Sequence, residues 1–450
     1  MPKPTTSRRA LLAAGGTLGL LPGVRGAIAQ PALEPRVVIV TSFSREVTTP
    51  FAQGFERAHP GTKVEIQNRN TAAAVAFIRE TRSSPPDLMW ASAPDAFEVL
   101  KQGSLLARPQ IDTSGIPERI GGQPTNDPDG HYFGFAVSGY GIMYNTRYLR
   151  ANRLPEPKEW ADLTKPVYQG HVGISAPSRS GTTHLTVETI LQGEGWEKGW
   201  AQLLEMAGNF AQVSDRSFGV PDAVNSGQYG IGIVIDFFGL SAKASGFPVE
   251  FVYPTVTTLV PANIGMIEGA RNPNAARAFI QFLLSPEGQQ ILLDPKVMRL
   301  PVRREAYARA PAGFPNPFTN PSLGARVRFN SDVSEVRYQL LNSLFDRVIT
   351  FRLRELTDAW KAVHAAEAQL ARRDNAEGRR LVAEARAKLT AVPVTEQQAA
   401  DPAIAGAFRA TRPDRPAAGR QAQFEEEWDR AAVAAYAEGR RLAEQAQRAR

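Results

Sequence analysis

The residue types best suited to chemistry in this chain cluster at Arg179-Ser180-Gly181-Thr182-Thr183, directly ahead of a helix-like run from His184 to Leu191. The first backbone N–H groups of a helix lack intrahelical partners, and that end carries about half a positive charge. Glycine at the turn admits a ligand close to the backbone, and neighbouring hydroxyls can donate further hydrogen bonds. The first turn holds no Asp or Glu, and Glu188 comes too late to neutralise it. The positive end, with Arg179 beside it, is therefore open to an external anion. The same residues also suit an ordinary Ser/Thr N-cap, so the motif takes its meaning from the rest of the chain.

Other reactive patterns fail. His59, His131, His171, His184 and His364 are scattered, with no pair at metal-binding spacing on one helix. With 0 Cys, thiol catalysis and zinc–thiolate sites are excluded. Ser138 in Val137-Ser138-Gly139 lacks the glycine two residues earlier that a nucleophile elbow needs. Gly230 and Gly232 fall within a strand-like run, with Ile235 where a dinucleotide loop needs its third glycine. No Walker sequence is present. The expectation is a binding protein rather than an enzyme, with no metal and no cofactor.

The elements that position these residues alternate. From residue 36 to about 300, short apolar strands and helical stretches follow one another, as in an α/β protein. Val37-Val38-Ile39-Val40 is continuously apolar, which suits a buried parallel sheet. It ends in Thr41-Ser42-Phe43-Ser44, and Asp87-Leu88-Met89-Trp90 ends in Ala91-Ser92-Ala93. Ligands of open α/β sheets bind beyond the carboxyl ends of strands, which makes Ser42, Ser44 and Ser92 pocket candidates, with loop capping as their other role. Two longer β-like runs, 132–145 and 252–266, could each cross from one lobe to another and so imply a cleft. Residues 311–321 read as a Pro/Asn/Gly linker. Beyond it, Val333, Val336, Leu340, Leu344, Val348, Leu353, Leu356, Trp360 and Val363 recur at helical spacing, predicting one long helix or a helical pair to about Val392. Residues 393–420 read as flexible, and 424–447 as a last helix.

Ser7-Arg8-Arg9 precedes an apolar stretch too short to span a bilayer, and Ala27-Ile28-Ala29 has the small-x-small pattern of a signal peptidase site. A twin-arginine export signal over residues 1–29 and a periplasmic location are expected. Its removal would take Lys3, Arg8, Arg9 and Arg25 and no acids, lowering the net charge from +7 to +3. That balance gives no case for nucleic acid.

The order of these pieces resembles one family. Lys101-Gln102-Gly103-Ser104-Leu105-Leu106, Tyr140-Gly141-Ile142-Met143-Tyr144-Asn145 and Phe282-Leu283-Leu284-Ser285-Pro286-Glu287-Gly288-Gln289 are similar to segments of the periplasmic solute-binding proteins of ABC transporters. The similarity falls in the branch for ferric iron, phosphonates, sugar phosphates and phosphoglycerate. The continuation from Phe329-Asn330-Ser331-Asp332 to His364 further resembles the phosphoglycerate-responsive members that work with a two-component sensor. The resemblance implies a type 2 fold of two α/β lobes joined by crossing strands and closing on a hinge, here with a C-terminal α-helical extension. It implies an inner-membrane ABC permease, or a sensor-kinase ectodomain, as partner of a monomer. Iron binders of the family place adjacent tyrosines after the strand matching Gly230–Ile235, where this chain has Asp236-Phe237-Phe238. Ferric iron is thereby disfavoured.

The expected layout is lobe 1 over 30–137, lobe 2 over 138–255, a return to lobe 1 over 256–305, a linker over 306–330 and the extension over 331–450. The expected ligand is a small phosphorylated or phosphonylated anion. It would sit on Ser180, Gly181, Thr182 and Thr183, with Arg179 or Arg216 supplying charge and Ser42, Ser44, Ser92, Ser138 and Asp236 reading the organic part. Either arginine could instead pair with surface acids, and Asp236 could simply cap the next helix.

Overall fold

The computed structural model describes residues 33–449 apart from 321, 322, 325, 374 and 410–415. The expected export signal lies outside the described residues. Twelve strands are present among them: β1 (Arg36–Thr41), β2 (Lys63–Asn68), β3 (Leu88–Ala91), β4 (Arg119–Ile120), β5 (Gln123–Pro124), β6 (Tyr132–Asn145), β7 (Val172–Ser175), β8 (Phe210–Ser214), β9 (Ile231–Ile235), β10 (Val249–Val252), β11 (Leu259–Met266) and β12 (Leu300–Pro301). The helices around them are α1 (Arg45–Ala58), α2 (Thr71–Glu80), α3 (Pro94–Gln102), α4 (Thr146–Asn152), α5 (Gly181–Glu194), α6 (Trp196–Ala207), α7 (Gly219–Ser226), α8 (Asp236–Ala244), α9 (Pro273–Leu284) and α10 (Pro286–Ile291). The main sheet runs in the order β2-β1-β3-β11-β6-β9-β7-β8, with β10 and β12 also pairing with β6.

One strand divides this sheet into two lobes. The first half of β6 pairs with β11 and β12, and its second half with β9 and β10. β1, β2 and β3 are mutually parallel on one side, as are β7, β8 and β9 on the other. The return crossing between β10 and β11 is fixed to β6, since the Thr257 hydroxyl donates to Tyr140 O at 2.7 Å and accepts Tyr140 N–H at 3.3 Å. Each lobe has its own core. Phe51, Trp90, Phe135 and Phe279 meet edge to face in the first lobe. Trp160, Trp196, Trp200 and Leu203 fill the second.

The extension comprises α11 (Ser331–Val336), α12 (Tyr338–Val348), α13 (Leu353–Leu370), α14 (Ala376–Leu389), α15 (Glu396–Ala400), α16 (Pro402–Ala405) and α17 (Gly419–Arg448). The expected single helix or pair to Val392 is therefore four helices. It breaks at Arg337, whose guanidinium is drawn to Glu188, at the β-branched Ile349-Thr350, and at Asn375, whose side chain caps α14 through Gly378 N–H. The helical spacing holds at Leu340, Leu344, Val348, Leu356, Trp360 and Val363, all buried. It inverts in α11, where Ser334 is buried and Val336 is exposed. The described part of 393–420 is packed rather than flexible. Trp196 Nε1 donates to Val394 O at 2.8 Å, and Phe408 stacks on Trp428. The segment read as a linker also packs, with Val327 and Phe329 entering two hydrophobic clusters.

Candidate ligand-binding site

The amino end of α5 lies against the first lobe. A Cβ built on Gly181 would fall 2.8 Å from Ala93 Cβ and 3.1 Å from Thr71 Oγ1. The starts of α2, α3 and α5 therefore converge; α2 and α5 have no acid in their first turns, whereas α3 carries Asp95 in its own. Such ends favour negative charge between them. The convergence needs glycine at 181, because any side chain would push the helix starts apart.

Part of the predicted motif is consumed by the protein. Ser180 Oγ accepts from Thr183 N–H at 3.2 Å as the N-cap of α5. The Thr183 hydroxyl is bound to Ser175 Oγ. Thr182 is half-buried, and its backbone carbonyl accepts from the Thr186 hydroxyl. Arg179 points to solvent, with Nε 3.6 Å from Asp215 Oδ1 and both side chains exposed. Arg216 reaches the other lobe, donating from Nη2 to Asn68 Oδ1 at 3.1 Å, and partial burial lowers its pKa. Of the two arginines expected at the anion, Arg216 spans the groove and Arg179 pairs at the surface.

Three further candidates, Ser92, Ser138 and Asp236, gather around an arginine that the sequence did not single out. Arg299 is fully buried, just before β12. Leu300 pairs with Val137, which sets Arg299 alongside Ser138. Its guanidinium lies between two rings, 4.3 Å from the centre of Phe43 in the first lobe and 3.4 Å from that of Phe237 in the second. Nη1 donates to Ser92 Oγ at 3.1 Å. Among the described residues Nε and Nη2 have no protein partner, although both are buried. Those two N–H groups form the side-on fork that clamps a carboxylate or phosphate in bidentate fashion. Burial pushes its pKa down to about 9, opposed by the charge of Asp236, so it remains a cation at neutral pH. Ser138 Oγ and Tyr140 Oη are likewise buried and without a partner among the described residues. Tyr140 feels both Asp95 and Asp236.

Asp236 is committed to the protein. It accepts from Gly139 N–H at 2.8 Å, the Tyr253 hydroxyl at 2.9 Å and Phe237 N–H at 2.7 Å. Burial nevertheless raises its pKa to about 6. It starts α8 and ties β6 to the return crossing. Ser42 is half-buried beside Phe43. Ser44 lines a cavity of about 540 Å³ that also takes in Asn68, Phe218, Asp222, Phe237, Phe238 and Lys296.

Arg299 carried no readable signal in Met298-Arg299-Leu300-Pro301, because a lone arginine in a loop is ordinarily a solvated one. Only the fold brings it between two rings from different lobes. Asp95 was also missed. Its Oδ1 accepts from Ala96 N–H at 2.9 Å, and its Oδ2 lies 3.2 Å from His184 Nε2 in α5.

Comparison with known proteins agrees with this architecture. Residues 83–321 match the family described as bacterial extracellular solute-binding protein. The phosphoglycerate transport regulatory protein PgtC of Salmonella typhimurium is 33% identical over 369 residues, covering 81% of this chain and 87% of the relative. The iron uptake protein A1 of Synechocystis is 26% identical over 256 residues, covering 52% of this chain and 67% of the relative. Among solved structures, the periplasmic binding protein AfuA of Actinobacillus pleuropneumoniae, with fructose-6-phosphate bound, superposes with a TM-score of 0.62 at 20% identity over 70% of this chain and 98% of that one. The apo ferric ion-binding protein A of Pasteurella haemolytica gives a TM-score of 0.55 at 16% identity over 70% and 97%. These two share the fold of two-lobed periplasmic binding proteins.

Proposed function

Because the chain belongs to the bacterial extracellular solute-binding proteins, we propose that it captures a small phosphorylated or phosphonylated organic anion by closing its two lobes. The observation that carries this reading is the free Nε–Nη2 fork of Arg299, buried between Phe43 and Phe237. A buried cation whose hydrogen-bonding edge has no partner costs free energy unless a ligand completes it. The helix starts at Thr71 and Gly181 lie together and add backbone N–H groups, offset in part by Asp95 in the first turn of α3. Each helix-end contact contributes roughly 0.3–2 kcal/mol, so micromolar binding near −8 kcal/mol needs several contacts and exclusion of water. Closure is part of the affinity.

The ferric-iron alternative fits poorly. Phe237 and Phe238 offer no phenolate, and a buried guanidinium repels a trivalent cation. Ligands with an anionic head are favoured by the same charge, as in the sugar-phosphate and phosphoglycerate proteins that this chain is similar to. The bound form serves an ABC permease in the inner membrane. Signalling to a sensor-kinase ectodomain is the second reading, supported by the regulatory name of the 33% identical relative and by the helical extension.

The test is calorimetric titration with a panel of phosphoesters and phosphonates. Arg299→Gln should weaken binding of the best ligand at least about a hundredfold, the scale of a lost bidentate charge contact. Thr182→Asp should abolish it by placing like charge at the α5 start. Unchanged affinity in a folded Arg299→Gln protein would reject the site. No binding of any phosphorylated or phosphonylated compound would reject the ligand class.

A further inference from the structure

The first helix of the extension touches both lobes, and it does so unequally. On the second lobe the attachment is deep. Leu340, Leu344, Phe345 and Trp360 share one core with Trp196 and Trp200. Arg337 binds Glu188 of α5 through Nε and Nη2, both at 2.7 Å, with the two side chains buried. The extension therefore moves with the second lobe as one body.

On the first lobe the attachment is narrow. α11 meets α3, where the Ser334 hydroxyl donates to Asp95 Oδ2 at 3.3 Å. His184 Nε2 lies 3.0 Å from Ser334 Oγ and 3.2 Å from Asp95 Oδ2, and its Nδ1 lies 2.8 Å from Asn342 Oδ1. One junction thus joins the first lobe through Asp95, the second through His184, and the extension through Ser334. All three are fully buried.

We propose that α11 is a latch, carried on the second lobe by the extension and fastened to the first lobe at Asp95, which must part from α3 before the lobes can open. A conventional two-lobed trap opens on its hinge strands alone. Here the opposite seam must also break, so the extension senses closure directly.

The charges at this seam give the latch a pH dependence. α3 presents Asp95, Glu98 and Lys101; α11 presents Asp332 and Glu335; α5 presents His184 and Glu188; α12 presents Tyr338 against His184; and β6 presents Tyr132, bound to Glu98, and Tyr140 near Asp95. Arg337, between α11 and α12, is held by Glu188. Lys101 is held by Asp127 and Asp129, at 2.7 Å each, and so only partly offsets the acids. Burial, and then Glu98, Asp332 and Asp95, push the Glu335 carboxyl up to about 7. Burial raises Asp95 as well. A raised acid binds its proton more tightly when docked, so docking is favoured at lower pH and weakens as pH rises through about 7.

The chain has 0 Cys, so two spin labels can be introduced cleanly at Arg79→Cys in the first lobe and Ala211→Cys in the second. Interlobe distances are then measured on the full-length, ligand-free protein by electron double resonance at pH 6 and pH 8. The expected result is a short distance at pH 6 and a longer component at pH 8. Ser334→Asp, which faces Asp95 with like charge, should populate the longer component at both. Glu335→Lys, a half-buried position less exposed to folding failure, should restore the short distance at pH 8. Identical distributions in the parent, Glu335→Lys and any folded Ser334→Asp protein would overturn the latch. Because no ligand is present, that failure would leave the assignment of the anion site untouched.

Discussion

Asp236 and Arg299 lie in the same closed interior, and burial moves their proton affinities in opposite senses. Asp236 is raised to about 6 and Arg299 lowered to about 9, each resisting its charged form. The three protein donors on Asp236 keep the carboxylate in place but do not restore what water would supply. Between its usual value of 3.8 and about 6, the folded protein holds a proton that the unfolded chain has released. Stability from this one group therefore falls as pH rises across that window, by about 1.4 kcal/mol per pH unit. Asp236→Asn mimics the protonated state and removes the dependence. The gap in denaturant midpoint between parent and variant should shift in favour of Asp236→Asn from pH 4 to pH 6 and then level off. A constant gap over that range would mean that Asp236 is ionised throughout.

At the scale of elements, α5 shows how far a sequence pattern reaches. Its start was legible, since Ser180 at the N-cap and glycine behind it are local signals read from spacing alone. Its middle was not. From Thr183 to Leu191 every residue is buried, including His184, Glu188 and Thr189. A helix buried all round needs cover on its polar side, and that cover comes from α11 and α12, some 150 residues later. Periodicity cannot report a partner so distant. The same cause misplaced α11, where Ser334 and Arg337 face inward because Asp95 and Glu188 await them. The Glu188–Arg337 pair makes this testable. Arg337→Met leaves an unpaired buried carboxylate and should cost about 3–5 kcal/mol in chemical denaturation. Adding Glu188→Leu should recover most of that loss, because an apolar pair of similar volume removes the desolvation penalty. If the double variant is as unstable as the single one, the pair does more than neutralise itself.

At the scale of the whole molecule, the two-lobed plan was readable because it follows from repeated local choices: apolar strands, polar strand ends and two long crossings. The standing of the extension was not readable, since a helical period describes an independent bundle equally well. What decides it is shared burial. Trp360 rests on Gly208 so closely that a Cβ there would fall 2.5 Å from its ring, and Arg386 pairs with both Glu205 of α6 and Glu367 of α13. Removing residues 331–450 would strip Leu340, Leu344, Phe345, Trp360 and Trp428 from the second-lobe core. Each such side chain contributes roughly 1.5–3 kcal/mol when buried, so the total approaches or exceeds the 5–15 kcal/mol by which a typical domain is stable. The truncated chain should lose its near-ultraviolet circular dichroism and cooperative melting, and bind an apolar dye, while the first lobe retains protection from hydrogen exchange. If residues 30–330 instead melt cooperatively and bind the anion with parental affinity, the extension is a separable domain, and the coupling of lobe closure to its helices loses its structural basis.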